Sequence, residues 1–117
     1  MKYLIVCDGG NVRSNALGFH LKWHHNREAI AIGRLYMSPE TMEMMTNWAD
    51  RIVLMQPHMA ESIPEAYHDK IVVVDVGVDR FGINIHPELN ALTSQAAQML
   101  VNAEKNPAIL GGGVYSF

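Results

Sequence analysis

The sequence contains a single cysteine, Cys7, so no internal disulfide can form, which fits a reducing cytoplasm. It also lacks a long hydrophobic run: its apolar stretches are strand-sized, far short of the roughly 20 residues that span a bilayer. Nothing at the amino terminus reads as a signal peptide, because Asp8 and two glycines follow only a few apolar residues. Charge is sparse, at 18% of residues with a net −3, and no dense basic tract provides a nucleic-acid footprint. No internal repeat and no low-complexity segment is present. These absences lead us to expect a cytoplasmic protein with neither nucleic acid nor membrane as partner. What remains is 117 residues, 49% of them hydrophobic, enough for one domain with its own core over residues 1–117.

Periodicity along the chain alternates between strand and helix. Tyr3-Leu4-Ile5-Val6 is an apolar run stopped by Asp8-Gly9-Gly10, which reads as a buried strand ending in a loop. From Arg13 to about His25, Leu17, Leu21 and His24 share a helical stripe, with Ala16, Phe19 and Trp23 beside it. Ala29 to Leu35 reads as a second strand. Ser38-Pro39-Glu40 is a helix start: a capping hydroxyl, a proline suited to the first turn, and an acid at the positive end of the dipole. Met42, Met45 and Ala49 line one face of that helix. Strands follow at Ile52–Met55 and at the β-branched run Ile71–Val74, separated by a short helix that opens at Gln56-Pro57 and ends before Pro64. A Gly-, Asp- and Asn-rich loop covers residues 75–84. Pro87 then opens the longest helix, with Leu89, Leu92, Ala96, Met99 and Ala103 at helical spacing and an end near Asn106-Pro107. Residues 107–117, with Gly111-Gly112-Gly113, read as a flexible tail from which Tyr115 and Phe117 can dock on the body or on a second subunit. The oligomeric state is open. Such alternation predicts a parallel sheet with helices on both faces and ligands beyond the carboxyl ends of the strands, where Cys7 and Asp75 sit.

Cys7 to Ser14 fits Cys-x5-Arg-Ser between a strand and a helix. Five residues can curl around an anion so that the N–H groups of Asp8, Gly9, Gly10, Asn11 and Val12 point inward. The following helix adds free N–H groups and a positive dipole end, and the same field favours thiolate over thiol at Cys7. Arg13 can hold two phosphate oxygens in a fork that lysine lacks. Ser14 is placed to donate to the Cys7 sulfur, both as nucleophile and as leaving group. The competing reading is an inert buried cysteine at a strand end.

This loop, following Tyr3–Val6, resembles the signature of the low-molecular-weight protein tyrosine phosphatases. Trp48-Ala49-Asp50 before Ile52–Met55 is similar to the segment preceding that family's third strand. Lys70-Ile71-Val72-Val73-Val74-Asp75, with Asp79 and His86-Pro87-Glu88-Leu89, resembles a shorter subgroup of predicted tyrosine phosphatases. The resemblance implies a three-layer α/β/α sandwich on a four-stranded parallel sheet. It also implies a two-step phosphoryl transfer without metal or cofactor. Cys7 attacks phosphorus and becomes phosphocysteine, Arg13 holds the equatorial oxygens, an aspartate protonates the leaving oxygen, and water hydrolyses the intermediate. The implied partners are a phosphorylated protein or a small aryl phosphate, with phosphate or sulfate resting in the loop.

Three departures from the family pattern stand out. Gly10 stands where the family has a bracing asparagine. Asp8 brings a carboxylate into the anion loop, which weakens anion binding unless it points outward. The family's Asp-Pro acid motif is absent, leaving Asp79 or Asp75 as acid. Asp79 is preferred because its loop can reach over the anion, with Phe81 beside it to stack on an aromatic substrate; the alternative is that Asp79 only makes a turn. Two other activities remain open on this fold. One is a non-catalytic phosphate- or phosphopeptide-binding module. The other is an arsenate reductase served by an external thiol, since the thioredoxin-linked version needs two more cysteines. His20 and His24, one helical turn apart, lack a third metal ligand and read as a solvated face. His58 and His68 read as surface or capping residues, and Trp48 as a packing anchor.

Overall fold

A computed structural model of the protein describes residues 1–9, 11–105 and 113–117. The first apolar run forms strand β1, Lys2–Cys7, buried at five consecutive positions from Tyr3 to Cys7. A strand without in-out alternation is covered on both faces, which is the position of a central parallel strand. Strands β2 (Glu28–Gly33) and β3 (Arg51–Leu54) flank it, both parallel, with Cys7 opposite Gly33 and Val6 opposite Leu54. Strand β4 (Ile71–Asp75) pairs with β3, and β5 (Val114–Ser116) pairs with β4, so the sheet runs β2-β1-β3-β4-β5, parallel throughout. The chain crosses one way from β1 to β2 and the other way from β2 to β3. The carboxyl ends of β1 and β3 therefore border the crevice where doubly wound sheets take ligands.

Helix α1 (Val12–Phe19) follows β1 and runs into a π-helical turn, His20–His24. Helix α2 (Pro39–Trp48) starts as its sequence dictates, with Ser38 Oγ accepting from the Thr41 amide at 3.2 Å and Pro39 and Glu40 in the first turn. Helix α3 (Pro87–Ala103) buries Leu89, Thr93, Ala96, Ala97, Leu100 and Ala103, a three-and-four spacing that makes one apolar stripe, and it packs against α1. Thr93 is tolerated in that stripe because its hydroxyl donates to the Leu89 carbonyl at 2.8 Å. Short 3-10 turns at Pro57–Ser62 and Glu65–Lys70 connect β3 to β4; the sequence pattern had suggested only the first of these, as a short helix.

Two elements differ from the sequence expectation. The sheet has five strands rather than four: Val114–Ser116, expected within a flexible tail, lie beside β4. The Val73 amide donates to the Gly113 carbonyl and the Phe117 amide to the Asp75 carbonyl, both at 2.9 Å. An apolar β4 would otherwise present an open edge of unpaired backbone groups, and the returning chain closes it. Residues 106–112, which include Gly111 and Gly112, lie outside the described residues. The helix expected to reach His25 changes character at His20, where the wider turn sets His20 and His24 side by side, Nδ1 to Nδ1 at 2.9 Å, with Phe19 edge-on to both. His20 is buried rather than solvated, and burial lowers its proton affinity, assisted by the neighbouring His24.

Candidate active site

Four strand ends supply the site. β1 ends in Cys7-Asp8, β2 in Gly33 followed by Arg34-Leu35-Tyr36, β3 in Met55-Gln56 before the turn that carries His58, and β4 in Asp75 before Gly77. Register brings them together: Cys7 lies opposite Gly33, the Met55 amide donates to the Val6 carbonyl at 3.0 Å, and the Leu35 amide donates to the Asp8 carbonyl at 3.0 Å. Gly33 is a glycine for lack of room. A Cβ there would lie 2.9 Å from the Gly9 carbonyl oxygen, so the Cys7 loop rests directly on the end of β2.

Within the loop, Cys7 is buried and its sulfur lies 2.9 Å from the Ser14 hydroxyl. That hydroxyl also donates to Asn11 Oδ1. A hydroxyl has one proton, so the thiol form lets Cys7 donate to Ser14 while Ser14 donates to Asn11, and the thiolate form turns the Ser14 proton to sulfur. Asn11 occupies the left-handed region at φ 56° just before α1, a conformation that asparagine tolerates better than most side chains. Its amide nitrogen also donates to the Ala31 carbonyl at 3.4 Å. The brace expected to be missing at Gly10 is therefore supplied one residue later, by Asn11. Gly10 itself lies outside the described residues. Val12 opens α1, whose first N–H groups have no partners within the helix.

Arg13 is 1% exposed. Its Nη1 donates to Gln56 Oε1 at 2.7 Å and to the Gly77 carbonyl at 3.0 Å, which ties the loop to the ends of β3 and β4. Gly77 is presented for this by Asp75, whose Oδ1 accepts from the Gly77 amide at 2.8 Å. Asp75 is thus committed to the turn. The opposite edge of the guanidinium is left over among the described residues: Nε is buried without a hydrogen-bond partner, and Nη2 has only Asp8 Oδ2 at 3.9 Å. Nε–H and one Nη2–H point the same way, forming the fork that suits two oxygens of one anion.

Asp8 does not stand uncompensated in the loop. Its Oδ1 accepts from Arg34 Nε at 2.7 Å, and both oxygens lie 3.2 Å from His58 Nε2. Burial works to raise its pKa, but the hydrogen bonds from Arg34 and His58 outweigh it and hold the carboxyl below its usual range. Arg34 continues to Glu61 and Ser62, each at 2.8 Å, and so clasps the turn that carries His58. Tyr36, 82% exposed, sets its ring against Gly9, where a Cβ would lie 3.1 Å from the ring.

No protein-family model, curated protein or solved structure matches this chain. Its chemistry is therefore read from the geometry. The structure gathers Cys7, Asp8, Gly9, Asn11, Arg13 and Ser14, and adds Gln56, Gly77, Arg34, His58 and Tyr36, which no local motif marks because each depends on strand order. Phe81 does not join them as a stacking surface. It is 4% exposed, packed edge-on to His86, with the Arg80 guanidinium 4.3 Å over its ring, because an aromatic in a long loop lowers its energy most by entering the core. Asp79 is exposed and makes no hydrogen bond or ion pair among the described residues. No cluster of three or more potential metal ligands occurs among them either. A hollow of about 170 Å³ beside α1, lined by Asn15, Phe19, Trp23 and Asn84 among others, contains none of the Cys7-loop groups. An anion needs donors rather than volume, so the strand-end crevice is the candidate site.

Proposed function

We propose that this protein is a cysteine-dependent phosphomonoester hydrolase of the tyrosine-phosphatase kind, acting through a phosphocysteine intermediate. The observation that carries the reading is the free-facing edge of Arg13 beside the loop that begins with Cys7, where Nε is buried without a hydrogen-bond partner and Nη2 has only the Asp8 carboxylate at 3.9 Å among the described residues. Burying a cation with an unused donor is costly, and an oxyanion on that edge removes the cost. The Ser14 hydroxyl beside the Cys7 sulfur supports a nucleophile that must carry negative charge before attack and on leaving. Resemblance to the low-molecular-weight protein tyrosine phosphatases is supported by the parallel sheet and by the loop's position between β1 and α1. A three-layer arrangement draws on α3 packing with α1 while α2 contacts β1.

The substrate class is a phosphorylated protein or a small aryl phosphate, and the exposed Tyr36 ring beside Gly9 supports an aromatic leaving group. Asp79, exposed on the loop after β4, is the sequence's nominee for proton donor. A cytoplasmic setting follows from the free thiol that the chemistry needs. Hydrolysis of p-nitrophenyl phosphate tests the reading: activity is expected in wild type and abolished in Cys7→Ser, and equal rates in the two proteins refute it. A second reading, oxyanion binding without turnover, draws on Asp8 Oδ2 only 3.9 Å from Arg13 Nη2. It predicts Arg13-dependent phosphate binding with no Cys7-dependent hydrolysis.

A further inference from the structure

We infer that Arg34 is a positioning residue of the anion site: it holds the Asp8 carboxylate off the free edge of Arg13, so that phosphate rather than Asp8 takes that edge. The inference rests on the oxyanion site of the phosphatase reading and names what keeps that site open. A carboxylate offers a guanidinium edge two oxygens, as a phosphate does, so Asp8 is an internal competitor for Arg13. Its Oδ2 lies 3.9 Å from Arg13 Nη2. That is about 1 Å longer than a charge-assisted hydrogen bond, and a shift of that size would close the gap.

Arg34 opposes that shift from the end of β2. Its Nε donates to the other carboxylate oxygen, Asp8 Oδ1, at 2.7 Å, and its Nη1 donates to Glu61 Oε1 and Ser62 Oγ, each at 2.8 Å. The guanidinium therefore cannot swing without breaking a bond at one end, and its side chain is only 10% exposed. The Leu35 amide donates to the Asp8 carbonyl at 3.0 Å, so the backbone and the side chain of Asp8 are both tied to the short turn Arg34–Tyr36. His58 Nε2, 3.2 Å from both carboxylate oxygens, adds a longer contact from a half-exposed ring. Burial opposes ionisation of Asp8, but the hydrogen bonds from Arg34 and His58 prevail and keep the carboxyl below its usual range, so it is an anion near neutral pH. Without Arg34, the nearest permanent cation to that anion is Arg13, and an incoming phosphate has to displace it.

The test is a double-mutant cycle on inorganic phosphate affinity, measured by calorimetry at fixed ionic strength in the full chain. The proteins are wild type, Arg34→Gln, Asp8→Asn and the double variant. Asparagine keeps the shape of the side chain and an oxygen for Arg34, but it is not an anion that competes for Arg13. The expected result for Arg34→Gln is a loss of about 30-fold with Asp8 present, and a change of at most about 3-fold in the Asp8→Asn background. Arg34→Lys keeps the positive charge but loses the fork that spans Asp8 and the turn after β3. Its expected loss is about 5-fold, again confined to the background with Asp8, and it replaces Arg34→Gln in the cycle if that variant does not fold. Equal losses in the two backgrounds make Arg34 a source of charge or scaffold only; they overturn the inference and leave the anion site standing. Phosphate binding that appears only in Asp8→Asn means that Arg34 does not hold the carboxylate clear, and it too overturns the inference alone. Phosphate binding absent from wild type and Asp8→Asn alike overturns both the inference and the reading beneath it.

Discussion

Replacing Arg13 with lysine keeps the charge and removes the fork. In the folded protein Nη1 serves Gln56 and Gly77, and the Nε–Nη2 edge is the part left for an oxyanion. Two charge-assisted hydrogen bonds from that edge contribute about 1.5–3 kcal/mol each, and a lysine ammonium keeps at most one of them. The expected loss is therefore about 2–3 kcal/mol, or roughly 100-fold in phosphate affinity. Thermal unfolding with added inorganic phosphate reads this directly. At a phosphate concentration about 100 times the wild-type Kd, binding stabilises the fold by about 2.7 kcal/mol, which raises the Tm of a domain this size by roughly 10 °C. At the same concentration Arg13→Lys sits near its own Kd, gains about 0.4 kcal/mol and shifts by only about 1–2 °C. Each protein is compared with its own phosphate-free Tm, because losing the bonds to Gln56 and Gly77 lowers the variant's baseline. Equal shifts in the two proteins refute the role given to the guanidinium edge. The same shift in chloride at matched ionic strength refutes a specific site.

Other outcomes follow from the same geometry. Asn11→Ala should cost about 1–2 kcal/mol of stability because alanine opposes the left-handed backbone, whereas Asn11→Gly should recover that stability but not phosphate affinity, since the bond to Ser14 is gone from both; equal urea midpoints for the two variants would contradict this. Gly33→Ala should push the Gly9 carbonyl away, costing about 1–3 kcal/mol and at least about 10-fold in phosphate affinity, by urea unfolding and calorimetry. Acid should destabilise the fold through Glu104, which accepts from Arg27 Nε at 3.0 Å and from the Tyr3 hydroxyl. Burial opposes its ionisation, but these bonds prevail and depress its pKa, so its contribution is present above the ordinary carboxylate range and lost as pH falls through and below it. A urea midpoint that declines toward low pH in wild type and less so in Glu104→Gln is the expected outcome.

Much of the scaffold was legible because it is written in short-range patterns. The run Tyr3–Val6, the Ser38-Pro39-Glu40 start and the stripe from Leu89 to Ala103 each reflect local energetics, and the strand-loop-helix around Cys7 follows from an apolar run, two glycines and a helical period. What misled was context. Phe81 looked like a surface for a ligand and entered the core; Val114–Ser116 looked like a tail and closed a sheet edge; His20 looked solvated and is buried by α3.

By itself, the sequence determined that Cys7 lies close to Arg13 and Ser14, because only a short loop separates the strand that ends at Cys7 from the helix that carries the other two. The tertiary structure alone decided which face of the guanidinium stays free, what neutralises Asp8 and which ring stands at the mouth. Gln56, Gly77, Arg34, His58 and Tyr36 come from the ends of other strands, and only the β2-β1-β3-β4 order brings groups so distant along the chain within hydrogen-bonding range.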